Sequence, residues 1–288
     1  MKSIKSFLAA ALLIAFFSGC DEIEDPVIEF GSYRYDLYGP APTFTAATSV
    51  TQRILLEDFT GHDCGNCPIG HQIAHDILQS DSDRVAVVAI HAGSLAEPLP
   101  PEFPADWRTQ EGIFYLLTQV GVDLMPTGRI NRQPSSNVAF SPSTWVAKAN
   151  SELATTGPVN LQMEVSFSAA NNHLNVHVND QWFEAQSGDY RLVILVTESQ
   201  IEAPQLWYGH SPEFVEEYDH EHMLRASVSG ATGLTVATNP SAGSTSTHSY
   251  TYDWNSQWIP ENCEVVAFIT QGENGKVLNV VKQPVIAE

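Results

Sequence analysis

The sequence predicts an α/β unit followed in the same chain by an all-β unit. Three observations carry this. Between residues 51 and 156, apolar runs of strand length alternate with helix-length segments. After Gly157-Pro158 the hydrophobic period switches to two, the period of half-buried strands. Turn signals then recur between short alternating runs, the pattern of a β-sandwich.

Residues 1–19 read as a secretory signal: Lys2 and Lys5, an uncharged apolar run from Phe7 to Phe17, then small residues. The apolar run is shorter than the ~20 residues that span a bilayer. Ser18-Gly19-Cys20 resembles a lipoprotein cleavage box, in which the cysteine becomes the first mature residue and carries the acyl chains. Several such chains anchor firmly, at about 0.8 kcal/mol per buried CH₂. Residues 20–50 are expected to be a lipidated acidic tether. They hold Asp21, Glu22, Glu24 and Asp25, then Pro26, Gly31, Gly39, Pro40 and Pro42, with no helical period. Thirty residues reach at most roughly 100 Å. The acidic run resembles the sorting signals of outer-membrane lipoproteins, with an inner-membrane retention signal as the competing reading. The expected location is the cell envelope, lipid-anchored, at the outer membrane, with the periplasmic and the surface-exposed leaflet as alternatives.

Formal charge is −21 for 288 residues, and without Lys2 and Lys5 it falls to 11 basic against 34 acidic side chains, −23. Such a surface repels nucleic acid and anionic lipid headgroups. Membrane attachment is therefore expected through Cys20 alone, and nucleic acid is excluded as a partner.

Residues 51–156 form the first expected domain. Ile54 to Phe59 reads as a buried strand, and a helix is expected from near Cys64 to about Ser80, with Ile69, Ile73 and Ile77 on one face. Val85 to Ile90 reads as a second buried strand. Residues 93–106, rich in proline and acid, read as a loop. A helix is expected over about 107–119, and Thr127 to Asn131 as a third strand. Ser141-Pro142 has the form of a cap and first-turn proline for a helix reaching about Leu153. Residues 157–288 form the second expected domain, an immunoglobulin-like sandwich. Its strands are expected over the alternating runs Leu161–Phe167 and Leu174–Val178, and near 190–197, 222–229, 247–254, 263–270 and 276–285.

The chemistry-bearing motif is Cys64-Gly65-Asn66-Cys67, set between a strand and a helix. Two cysteines at this spacing serve as a redox dithiol, a local disulfide or half of a zinc site. Zinc needs about four ligands, and only His62 and His71 lie near. The strand–loop–helix setting favours redox chemistry. A first cysteine where a helix begins meets unpaired N–H groups and the positive end of the dipole, which stabilise its thiolate. That thiolate attacks a disulfide and the second cysteine resolves the mixed intermediate. Cys64 is thus the candidate nucleophile and Cys67 the resolving thiol.

The segment from Leu55 to Cys67 resembles the active-site segment of thioredoxins. The resemblance implies an α/β thioredoxin-like domain. It also implies that Asp58, six residues before Cys64, is the buried proton acceptor for Cys67. Met125-Pro126-Thr127 matches the superfamily's cis-proline segment, implying that Pro126 faces the dithiol while Met125 and Thr127 hold an extended substrate strand. Two departures stand out. Asp63 occupies the place usually held by tryptophan, where a carboxylate opposes the thiolate, an effect that a protonated His62 would offset. The span from Cys67 to Pro126 is also long, the excess falling at Glu97 to Asp106. The run from Phe59 to Pro68, with the lipoprotein start and the β-rich second half, further resembles the outer-membrane-protein-twenty-eight family of envelope lipoproteins.

Two functions follow as expectations. One is thiol–disulfide exchange on envelope or extracellular proteins, with protein thiols and disulfides as partners. The other is a binding or adhesion lipoprotein with an unknown protein partner, in which the cysteine pair is a structural disulfide. No cofactor and no metal are expected. His210, His220 and His222 among acidic residues read as a polar loop or strand end, His71 and His75 as helix-packing or surface residues, Cys263 as a core residue, and Trp254 and Trp258 as core anchors.

Overall fold

The computed structural model describes residues 32–121, 124–133 and 138–287. The signal segment, Cys20 and the acidic run lie outside the described residues. The centre of the fold is a pair of wholly buried parallel strands, β1 (Ile54–Thr60) and β2 (Val85–His91), in register from Ile54↔Val85 to Thr60↔His91. Apolar side chains point to both faces, so each face needs a cover. The short helix α1 (Tyr35–Tyr38) precedes them, and α2 (Cys67–Ser80) crosses from β1 to β2. The helix begins at Cys67 rather than near Cys64. Gly65 and Asn66 form the turn, and Pro68 enters the first helical turn, where no amide donor is needed.

The expected helix at 107–119 is α3 (Gln110–Tyr115), capped by the Thr109 hydroxyl accepting from Gly112 N–H. It runs on as a π turn over Leu116–Val120. β3 (Thr127–Ile130) pairs antiparallel with β1, and a 3₁₀ turn at Pro142–Thr144 leads into α4 (Trp145–Leu153). Gly128 has to be glycine, since a Cβ there would sit 2.6 Å from the Trp145 ring and 2.7 Å from the Glu57 carbonyl.

The second half supplies ten strands: β4 (Val159–Ser168), β5 (His173–Trp182), β6 (Asp189–Glu198), β7 (Ile201–Leu206), β8 (Phe214–His220), β9 (Met223–Ser227), β10 (Leu234–Thr238), β11 (Thr245–Asp253), β12 (Cys263–Gln271) and β13 (Val277–Pro284). The protein is mostly β. One mixed eight-stranded sheet runs β13-β12-β6-β9-β2-β1-β3, with β10 also on β6. β2 and β9 join through Ala89↔Met223, so strands from before and after Gly157 share this sheet. A three-stranded antiparallel sheet, β11-β5-β4, packs on part of it, and β7 and β8 form a separate hairpin.

Alternation assigns the faces. Leu192, Ile194 and Val196 meet Val176, Val178 and Trp182 of the small sheet, while Val193 and Leu195 join Leu55, Phe59, Tyr115 and Leu116 on the opposite face. Ile54, Leu56, Val85 and Val87 pack against α2 and α4 around the buried Trp145.

Residues 32–50, expected to be part of a tether, lie along the outer face of the small sheet. Arg34 N–H donates to Thr251 Oγ1 and Ala47 N–H to Gln181 Oε1, and the Tyr38 hydroxyl is 2.7 Å from His173 Nδ1. This cover explains why His173, Asn175, His177 and Asn179, which point away from the core, are buried. A second feature is a wholly buried ion pair. Arg132 on the loop after β3 donates to Glu57 of β1 at 2.6 Å, with its guanidinium 4.6 Å from the Tyr115 ring and 4.9 Å from that of Phe268.

Candidate functional site

Cys64 and Cys67 form a disulfide at the entrance to α2. The chain reaches it through Gly61, where a Cβ would sit 2.3 Å from the Leu95 carbonyl, so only glycine lets the two backbones pass this closely. Cys67 N–H donates to Cys64 carbonyl at 3.0 Å and closes the turn. His62 is buried and stacks on Phe103 at 4.7 Å. Burial lowers its pKa, so the expected offset of Asp63 by a charged His62 does not arise at neutral pH.

The β7–β8 hairpin covers the disulfide. Leu206 N–H donates to His62 carbonyl at 2.9 Å and Tyr208 N–H to Gly65 carbonyl at 2.7 Å. The Gln205 amide donates to the carbonyls of Gly61 and Cys64. The Tyr208 ring lies so close over Gly65 that a Cβ there would be 2.5 Å from it. Cys64 is 2% exposed and Cys67 0%.

The other sequence-predicted residues fall around α2. The Met125–Pro126 peptide bond is cis. Pro126 packs on the helix at Gly70, one turn beyond Cys67, where a Cβ would be 3.3 Å from the proline. Met125 is half-buried, and Thr127 is buried with its hydroxyl toward the Phe140 carbonyl. Asp58 is buried in β1 opposite Gly128 of β3. Burial pushes its carboxyl up to about 8, so it is protonated at neutral pH.

Asp58 lines a cavity of about 320 Å³ that the sequence reading missed. His71 of α2, expected to be a packing or surface residue, lies inside it. Its Nε2 is 4.0 Å from Asp58 Oδ2 and 2.7 Å from Thr60 Oγ1, and its Nδ1 is 2.7 Å from the Tyr218 hydroxyl. His220 ends β8 and His222 lies beyond it at φ +55, so the two do not share a strand face, yet both line the cavity. The spacing Asp58, Thr60 and His71 is visible in the sequence, but the Tyr218 contact closes over 147 residues and has no local signal. Cys263 and the pair Trp254 and Trp258 are buried in the sandwich core, and burial raises the Cys263 thiol to about 12.

A mixed β-sheet that carries a disulfide at a helix entrance defines a β-rich protein with a CxxC disulfide. The chain belongs to the Omp28 family: the family described as Outer membrane protein Omp28 matches residues 115–288, more than half of the chain. Membership places it at the outer membrane of the cell envelope. The matched region begins after the cysteine pair and says nothing of it. No curated protein matches the chain.

Among solved structures, HBP35 of Porphyromonas gingivalis is similar over 82% of this chain and 76% of that one, at 16% identity and TM-score 0.64. A protein from Agrobacterium tumefaciens is similar over 84% and 98%, at 12% identity and TM-score 0.51. At these identities the likeness is one of fold alone. A domain of the outer membrane lipoprotein Omp28 from Porphyromonas gingivalis aligns over 45% of this chain and 88% of that one, at 16% identity and TM-score 0.31. Among the described residues, no helix is long and apolar enough to cross a membrane.

Proposed function

We propose that this protein is an outer-membrane lipoprotein, anchored through Cys20, whose Cys64–Cys67 pair exchanges disulfides with envelope or extracellular proteins. The observation that carries this is the disulfide at the entrance of α2, in the connection that follows the buried Asp58 strand. In this reading β1, α2, β2, β3 and α4 act as a thioredoxin-like unit over residues 51–156. The β4–β13 region acts as an immunoglobulin-like unit over 157–288 that holds the client. Cys64 is the nucleophile and Cys67 the resolving thiol. Asp58 accepts the Cys67 proton, and the Met125-Pro126-Thr127 segment positions the client strand.

A second reading rests on a different observation. The hairpin seals both cysteines from solvent, as suits a structural disulfide in a binding or adhesion protein. The reduction potential separates the two. The protein is equilibrated with glutathione or dithiothreitol buffers, and free thiols are counted by alkylation and mass. Exchange predicts a potential between about −120 and −270 mV, the span of thiol oxidoreductases. A pair that stays oxidised below about −300 mV refutes it in favour of the structural disulfide.

A further inference from the structure

Asp58 is 1% exposed, flanked in the sheet by β2 and β3, and the cysteine side of α2 is sealed by the hairpin. A group that gives and takes protons needs a route to water. We propose that the cavity beside Asp58 is a hydrated proton path from solvent, in which Tyr218 and His71 relay the proton. The path exists whether or not the cysteine pair is catalytic, while its use in catalysis rests on the exchange reading above.

The inner wall calls for water. Asp58 Oδ1 and both ring nitrogens of His91 are buried and make no hydrogen bond to protein. The ring nitrogens of His220 also lack one, although the carbonyls of Pro204 and Ala203 approach. Buried polar groups in native proteins are satisfied by ordered water where a polar cavity has room. A cavity of about 320 Å³ holds several waters at ~30 Å³ each. Its other end is open, since Gln72, His75, Asp219 and Glu221 line it and are exposed.

The relay chemistry is also in place. The Tyr218 hydroxyl and His71 Nδ1 share a hydrogen bond of 2.7 Å, and His71 Nε2 faces both Thr60 Oγ1 and Asp58 Oδ2. Burial, then the neighbouring His220, holds His71 down at about 3. At neutral pH its ring therefore has one donor and one acceptor nitrogen, as a relay requires. The titratable groups around Asp58 are His71 and His75 from α2 and His91 from β2. Tyr218, Asp219 and His220 come from β8, and Glu221 and His222 follow it. β3 presents only Gly128 opposite Asp58. Among the described residues, no three His, Cys, Asp or Glu side chains are grouped as metal ligands.

In the exchange reading, a client disulfide oxidises the reduced pair. The Cys64 thiolate attacks the client disulfide, forming the mixed disulfide and releasing the first client sulfur as a thiolate. Where Asp58 has lost its own proton to the path, the Cys67 proton then moves to that carboxylate as the Cys67 sulfur attacks Cys64. The Cys64–client bond breaks, and both client thiolates take protons from solvent. Asp58 then returns its proton to solvent through His71 and Tyr218, so charge and protons balance over the cycle.

The test reads Asp58 directly in the oxidised full chain, with ¹³C-labelled aspartate carboxyls and Asp58→Asn to assign the line. The wild type is expected to show one averaged resonance through its titration, the sign of fast proton exchange. His71→Ala with Tyr218→Phe is expected to slow exchange at least tenfold, broadening the line at the midpoint, and added imidazole is expected to sharpen it again. His71→Asn with Tyr218→Phe serves as a second variant should the alanine change disturb folding. Exchange as fast in a folded variant as in the wild type overturns the path. A wild type inactive toward disulfides, with an averaged wild-type line and imidazole-rescued broadening in the variants, refutes the exchange reading and leaves the path standing.

Discussion

Replacing Asp58 by Asn should stabilise the protein at neutral pH, by a margin that grows as pH rises. The ordinary carboxyl value is 3.8, and burial in β1 raises it to about 8 in the folded chain. Below pH ~4 the carboxyl is protonated in both states. Between ~4 and ~8 the unfolded state gives up its proton while the folded state keeps it, so folding becomes less favourable as pH rises. Above ~8 both are ionised and the loss levels off. At 1.36 kcal/mol per pH unit, the buried carboxyl costs on the order of 4 kcal/mol at pH 7 and on the order of 1–2 kcal/mol at pH 5. Water in the adjoining cavity screens some of this, so a gain of about 2–4 kcal/mol is expected for the isosteric, uncharged Asn at pH 7. Urea unfolding of both proteins, disulfide intact, at pH 4, 5, 6 and 7 measures it. A stability gap that is the same at pH 5 and pH 7 would refute the reasoning, because then Asp58 keeps its ordinary value in the folded chain.

Two further outcomes follow from the hairpin and the ion pair. Tyr208→Ala removes the ring that closes over Gly65 and should raise the rate at which dithiothreitol reduces Cys64–Cys67 about tenfold, the equivalent of ~1.4 kcal/mol of local opening. Alkylation and mass read that rate, and an unchanged one would show that the hairpin does not limit access. Arg132→Ala leaves Glu57 buried without its partner and should cost about 3–5 kcal/mol in urea unfolding, much of it recovered by Arg132→Met with Glu57→Met. A loss under about 1 kcal/mol would mean that Glu57 finds water instead.

The strands and helices nearest the cysteines were legible because their signals are local. The runs from Ile54 and Val85 are apolar on both faces, as a doubly covered parallel pair requires. Thr127–Ile130 and the Ser141-Pro142 helix start were equally visible. The mostly β second half followed from alternation, and seven of its ten strands lie where that pattern put them. The three it missed, β7, β8 and β10, are weakly patterned. β7 contains Pro204, and β8 carries Glu216, Glu217 and Asp219, the three exposed residues of its seven. This same hairpin supplies Tyr208, Tyr218 and His220, so the covered disulfide and the cavity were invisible together. Glu57 and Arg132 were missed for a related reason. A buried charge becomes meaningful only once its partner is known, and Arg132 meets Glu57 across 75 residues. The helix boundary at Cys67 rather than Cys64 was beyond reach because capping and turn residues shift helix ends by a residue or two.

The strap formed by residues 32–50 changes how the molecule stands on its membrane. With the proposed anchor at Cys20, residues 21–31 separate it from the described residues, a span that any chain of that length limits to at most about 40 Å, against roughly 100 Å for a run to residue 50. Near the start of the described residues, Arg34 pairs with Asp253 and lies 3.0 Å from His173 on the small sheet, so under that proposal this sheet is the part of the body next to the anchor in the chain. Under that proposal, a partner would meet a body held within that reach of the bilayer.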